Sequence, residues 1–193
     1  MRPKIRFCLL VCFVALLSPV FLCVYLGKLA KLDFSPAWIQ ILSLVPGTLG
    51  VLMRRSFYSC FLSDCSNDVG IGFGTIFSKT SVKIGPKVSI GGYCMIGMCE
   101  IGEGTLLGSN INILSGRHQH GSGDSVEQPK SGQVTYTSVK IWKNCWIGNG
   151  AIIMNDIGDN CIIGAGSVVV KSIPPNSVAV GNPAAVKKTV AFR

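Results

Sequence analysis

Between Ile71 and Val169 an aliphatic or aromatic residue returns about every six positions, usually with glycine after it. The leading positions are Ile71, Phe77, Ile84, Ile90, Ile96, Ile101, Leu107 and Ile113, then, after one gap, Ile141, Ile147, Ile153, Ile157, Ile163 and Val169. Nine of these fourteen are followed by Gly, which excludes a chance origin. A fixed short period marks a repeat architecture. A short extended segment and a turn fill six residues, and three such segments close a triangular coil of about eighteen residues. The leading aliphatics then stack in columns, coil upon coil. One coil has no core of its own, so stacking supplies it. The hexads give four to five coils. Glycine after each leading residue is expected to serve a tight corner with an unusual φ.

The register adds a second expectation. Four residues after a leading position the chain points inward again, where space is tight. Those residues are Val88, Cys94, Thr105, Ile111, Cys145, Ala151, Cys161 and Ser167, most of them small. Cys94, Cys145 and Cys161 are therefore read as core fillers, since a free thiol packs like a small apolar group. None of the nine cysteines forms a Cys-x-x-Cys pair, and a reducing compartment is expected.

Residues 1–55 differ in character. Arg2, Lys4 and Arg6 precede Phe7–Leu26, an almost wholly apolar stretch long enough to match a hydrocarbon core of about 30 Å. It is expected to be a retained membrane segment. A second apolar run, Ala37–Met53, ends at Arg54-Arg55 and is expected to be a second leg of a hairpin or a helix lying in the interface. The domain reading is a membrane-associated segment at 1–55, a connector at 56–67, the repeats at 68–175 and a tail at 176–193. The chain carries 18 Lys+Arg against 9 Asp+Glu, a net charge of +9. No aromatic RNA-binding motif or basic helix accompanies that charge, so no nucleic acid partner is expected. Anionic lipid and a polyanionic small ligand account for it better.

The repeat is broken once, by a polar insertion at 115–138 that contains Arg117, His118 and His120. These are the only histidines of the chain. A long insertion in a compact fold is usually functional or disordered.

The hexads, Cys-Trp-Ile-Gly at 145–148, Ile-Ile-Gly-Ala-Gly-Ser-Val-Val at 162–169 and Val-Gly-Asn-Pro-Ala at 180–184 together resemble the hexapeptide-repeat acyltransferases, over about Asp68 to Lys188. Leu-Ser-Gly-Arg-His-Gln-His at 114–120 and the apolar N-terminus are most similar to the O-acetyltransferases of bacterial surface-polysaccharide clusters. The resemblance implies an all-β solenoid, a left-handed parallel β-helix of about 4–5 coils, here with an N-terminal apolar helical membrane segment. It also implies a homotrimer with active sites between subunits, and acetyl-CoA as donor with its pantetheine along the outside of the coils. His118 matches the family's catalytic histidine. Trp146 matches the tryptophan beside the thioester. Gly148, Asn149, Ala165, Val170 and Lys171 match donor-binding positions, and Lys171 and Lys188 could meet the CoA phosphates. Arg117 and His120 are candidates for substrate contact.

A sugar hydroxyl is a poor nucleophile until a base removes its proton, and histidine titrates near neutral pH. The expected reaction is direct attack on the thioester, with neutral His118 taking the acceptor proton and a backbone N–H holding the oxyanion. Gln119 stands where many relatives carry an Asp, so a backbone carbonyl, Asp124 or Glu127 is left to orient His118. A carbonic anhydrase of the same fold needs three zinc-binding histidines, and two are present, so no metal is expected. An acyl-carrier-protein-dependent acyltransferase, a serine or xenobiotic acetyltransferase and a non-catalytic membrane-anchored scaffold are the alternatives. Because the donor is cytoplasmic, the catalytic part is expected at the inner membrane, facing the cytoplasm.

Overall fold

The computed structural model describes residues 12, 15, 18–29, 35–115 and 137–189. Among the described residues the named helices that come first are α1 (Ser18–Leu29), α2 (Ser35–Ser43) and α3 (Gly47–Phe61). The repeats then wind through three parallel sheets. Sheet 1 holds β1 (Asp64–Cys65), β4 (Lys83–Ile84), β7 (Cys99–Ile101) and β10 (Val139–Ile141), extended by single bridges at Ile157 and Ile173. Sheet 2 holds β2 (Gly70–Ile71), β5 (Ser89–Ile90), β8 (Leu106–Leu107), β11 (Trp146–Ile147), β13 (Ile162–Ile163) and β15 (Ser177–Val180). Sheet 3 holds β3 (Ile76–Phe77), β6 (Met95–Ile96), β9 (Asn112–Ile113), β12 (Ile152–Ile153) and β14 (Val168–Val169). The chain visits sheets 1, 2 and 3 in turn, making five coils and the start of a sixth. A last strand, β16 (Ala185–Thr189), folds back antiparallel on β15 and closes that end.

The register is the one the hexads demand. Ile71, Ile90, Leu107, Ile147, Ile163 and Ala179 face one another up sheet 2. The equivalent residues form columns in the other two sheets, and all of them are buried. All eight residues expected four places later are buried as well. Burying one isoleucine contributes about 2 kcal/mol, so the columns are the main source of stability. Cys94, Cys145 and Cys161 lie in these columns with their thiols aimed at backbone carbonyls, at 3.2 Å from Gly108, 3.0 Å from Gly158 and 3.1 Å from Pro174. In the buried Cys65 and Cys99, desolvation pushes the thiol up to about 12, which keeps both protonated.

Two findings revise the sequence reading of the corners. First, the glycine after a leading residue does not carry the unusual φ. Positive φ falls two residues later, at Lys87, Tyr93, Asn110, Asn144, Asn160 and Asn176, and at Gly74, Gly104, Gly150 and Gly166. The glycine after the leading residue is required by close approach. A Cβ on Gly72 would stand 2.5 Å from the Gly91 carbonyl carbon, and one on Gly148 would stand 2.5 Å from the Ala165 nitrogen. Second, the irregular steps all fall at one corner. Sheet 1 to sheet 2 and sheet 2 to sheet 3 always take six residues. The return from sheet 3 to sheet 1 takes 7, 5, 28, 4 and 4. The insertion carrying His118 is the longest version of the one variable corner.

The N-terminal region also differs from expectation. Among the described residues no helix is long and apolar enough to cross a membrane. Helix α1 has 12 residues, and the start of the Phe7–Leu26 stretch lies outside the described residues. The run Ala37–Met53 is not one leg of a hairpin, because it is divided at Val45-Pro46 between α2 and α3. Helix α3 continues through Phe61, and the first strand already begins at Asp64, inside the stretch read as a connector. Phe57 and Tyr58 close the bottom of the solenoid, with the Tyr58 ring 4.5 Å from that of Phe77.

Arg54 does not flank a membrane. It is 1% exposed. Its Nε donates to the Ile71 carbonyl at 3.0 Å, and its Nη1 lies within 3.2 Å of the carbonyls of Leu42, Ser43 and Val45. Those three carbonyls lie at the end of α2 and just beyond it, where a helix favours a cation; Leu42 and Ser43 also accept from the Val45 and Gly74 N–H groups. One guanidinium thus ties α2, α3 and the first coil together. We predict that Arg54→Met, which takes the side-chain donor away from the Ile71 and Val45 carbonyls and unties α2 from the first coil, destabilises the fold by about 3 kcal/mol in denaturant titration.

Candidate functional site

Each sheet presents a different outer face, set by the residue just before each leading position. On sheet 1 these are Asp64, Lys83, Glu100, Lys140 and Asp156, alternating in sign. A parallel series, Asp68, Lys87, Glu103, Lys143 and Asp159, lines the next corner. Lys83 pairs with Glu100 at 3.1 Å and Lys87 with Glu103 at 2.8 Å. Both series are nearly neutral, and they contain every acidic residue of the described repeats. The unbalanced cations Lys171, Lys187 and Lys188 are all exposed at the C-terminal end.

Sheet 2 is apolar outside from β8 onward. Leu106, Trp146, Ile162 and Val178 occupy adjacent rungs. Trp146 is 59% exposed and Leu106 50% exposed, so the tryptophan is not a packing residue of the solenoid. Leu106 was missed in the sequence. Sorting the residues before the leading positions by face would have found it.

The corner between sheets 2 and 3 carries Gly148, Asn149 and Ala165, stacked on consecutive coils. At several corners the third residue of the hexad satisfies the coil below it. The Ser109 hydroxyl accepts from the Gly92 N–H at 3.3 Å, the Asn149 Oδ1 from the Ser109 N–H at 2.9 Å, and the Asp159 Oδ1 from the Lys143 N–H at 2.9 Å. Ala165 occupies that place above Asn149 and has no acceptor to offer. Among the described residues the Asn149 N–H therefore has no partner, and neither do the Ala165 N–H and C=O. The Gly148 N–H is taken by the Ile163 carbonyl at 2.8 Å, so Gly148 contributes closeness of approach and not a donor. An elongated amide-bearing ligand lying over this corner meets one acceptor and two donors in a row.

The structure thus brings Trp146, Gly148, Asn149 and Ala165 together. It does not bring Val170 and Lys171 to them. Both sit on the corner between sheets 3 and 1, the corner from which the insertion leaves at Ser115 and to which it returns at Thr137. Lys188 lies on β16, at the end of sheet 2. Arg117, His118 and His120, together with Asp124 and Glu127, lie outside the described residues. Among the described residues no cluster of His, Cys, Asp and Glu could hold a metal ion.

No protein-family model matches the chain. It is similar to a maltose O-acetyltransferase from Clostridium difficile 630, with 28% identity and a TM-score of 0.70 over 80% of this chain and 83% of that one. It is similar also to a galactoside acetyltransferase solved with coenzyme A, with 27% identity and a TM-score of 0.67 over 80% and 78% of the two chains. The chain has the hexapeptide-repeat acetyltransferase fold. Among curated proteins it matches nodulation protein L of Rhizobium leguminosarum bv. viciae at 43% identity over 112 residues, which span 55% of this chain and 57% of that relative.

We predict opposite effects of Ala165→Asn on stability and on donor binding. The new amide oxygen would accept from the Asn149 N–H, adding up to about 1 kcal/mol to the stack. It would also close the open amide, raising the KM for an acyl-CoA donor about tenfold. Thermal unfolding and donor-dependent kinetics, measured on one preparation, check both signs.

Proposed function

We propose that this protein is an acetyl-CoA-dependent O-acetyltransferase that modifies a sugar hydroxyl in cell-surface polysaccharide synthesis. The observation that carries this reading is the open corner at Asn149 and Ala165 beside the exposed Trp146. Pantetheine is a chain of amides, and this corner offers unpaired backbone groups in line with an apolar platform for the thioester. The cations Lys171, Lys187 and Lys188 suit the phosphates at the far end of the donor. Similarity to two sugar acetyltransferases, one of them holding coenzyme A, supports the same class of donor and acceptor.

In the proposed reaction, neutral His118 removes the proton of the acceptor hydroxyl. The oxygen attacks the thioester carbonyl, and the proton passes on to the departing CoA thiolate. Arg117 and His120 contact the acceptor. Trp146 stands on the sheet opposite the corner that carries the His118 insertion, whereas Val170 and Lys171 share that corner. This division favours a site completed by two copies, one giving Trp146, Asn149 and Ala165 and the other giving the insertion, Val170 and Lys171. A homotrimer supplies three such sites. We also propose that the N-terminus contacts the inner membrane on its cytoplasmic side, where the donor is found. Leu22, Tyr25, Leu26, Ile41 and Leu49 on the helices of that end, and Leu44 in the turn between α2 and α3, are all exposed, and the first 32 residues contain no acidic residue.

His118→Ala is expected to lower kcat for acetyl transfer by about 10²- to 10⁴-fold while the protein stays folded. Since the base acts neutral, the wild-type rate should fall as pH drops below the histidine range, near 6.5. Release of free thiol from acetyl-CoA, followed with a panel of sugars, measures both. Full activity in the alanine variant would refute the assignment.

A further inference from the structure

Trp142 is the second exposed tryptophan of the repeats, and the donor site makes no use of it. It is 49% exposed. It follows Ile141 at a place where the coils below carry Gly85 and Gly102 and the coil above carries Gly158. Gly85 and Gly102 line a trough of about 270 Å³ that spans these coils. Its charged lining is Asp64, Lys83, Glu100, Lys140 and Lys143, with Trp142 on the coil at one end. It runs from the first coil to the fourth, three rung spacings or about 14 Å.

The charges around it are not equivalent. The Glu100 carboxylate is engaged by Lys83, and Glu103, beyond the rim, by Lys87. Lys140 and Lys143 flank the indole, and among the described residues neither ammonium makes a salt bridge. An exposed indole offers a flat apolar face to the C–H side of a sugar ring, and an ammonium offers hydrogen bonds and charge to a carboxylate. A long, shallow trough with the indole at its end suits several linked rings.

We propose that this trough binds an acidic oligosaccharide, with one ring against Trp142 and a carboxylate held by Lys140 and Lys143. The inference rests on the reading of the protein as a glycan acetyltransferase. It adds a second contact, on sheet 1, that holds a polymeric acceptor away from the reaction centre. Such a contact raises the local concentration of further acceptor groups on the same chain.

Calorimetry without donor tests it, using oligogalacturonate as the acidic probe and a malto-oligosaccharide of equal length as the neutral one. The acidic oligomer should bind at least tenfold more tightly than the neutral one. Trp142→Ala and the double variant Lys140→Gln/Lys143→Gln should each weaken it about tenfold, whereas Trp142→Phe, which keeps an aromatic face, should bind within threefold of wild type. Circular dichroism confirms that each variant is folded. Equal binding by wild type and Trp142→Ala, equal binding of the two probes, or binding of neither would overturn the proposal. The activity reading is tested separately, by thiol release from acetyl-CoA with wild-type protein. If no sugar accepts acetyl but Trp142-dependent binding persists, the proposed activity fails and the trough stands.

Discussion

The close stacking of one coil on the next is the constraint from which the rest of this structure follows. Adjacent coils lie at the spacing of parallel strands, about 4.8 Å, and their leading aliphatics meet in register. That spacing leaves no room for a side chain after most leading residues, so glycine stands there. At the two regular corners it also places a left-handed residue two positions on, and glycine or asparagine fills eight of the ten such positions. The asparagines at one corner gain a further contact, since Asn144 donates to Asn160 at 3.3 Å and Asn160 to Asn176 at 3.0 Å. Once stacking fixes the inner residues, variation is confined to the outward positions and to a single corner. Function has to be written there.

Much of the solenoid was legible because its signal is periodic. The hexads gave the columns, and the small residues four places later were correctly read as core, including three cysteines. The role of the glycines was not legible. Periodicity reports where a residue type recurs and not whether torsion or proximity requires it, and the coordinates decide for proximity. The ends of the solenoid were misread for a different reason. The run Ala37–Met53 is apolar enough to suggest lipid, but part of that surface is needed to close the first coil. Arg54 looked like a membrane-flanking charge because sequence cannot show that four carbonyls converge on it.

The donor corner lay between these extremes. Family resemblance pointed to Trp146, Asn149 and Ala165, but not to the reason Ala165 matters. Its significance is what it lacks: a side-chain acceptor where Ser109, Asn149 and Asp159 each have one. The same logic separates the faces. Sheet 1 and its corner pair Lys83 with Glu100 and Lys87 with Glu103, which leaves Lys140, Lys143 and the cations of the C-terminal end to act on a polyanion. The proposed site is thus distributed, with an apolar and amide-rich corner on one side of the solenoid and the His118 insertion leaving from another.

That distribution can be tested by mixing two inactive variants. His118→Ala lacks the base and Trp146→Ala lacks the thioester platform, so each alone should be nearly inactive. If each site takes the two residues from different copies, unfolding the two variants together and refolding them should restore a substantial fraction of wild-type acetyl transfer. A mixture that stays as inactive as its parts, although the copies have reassembled, would contradict the account.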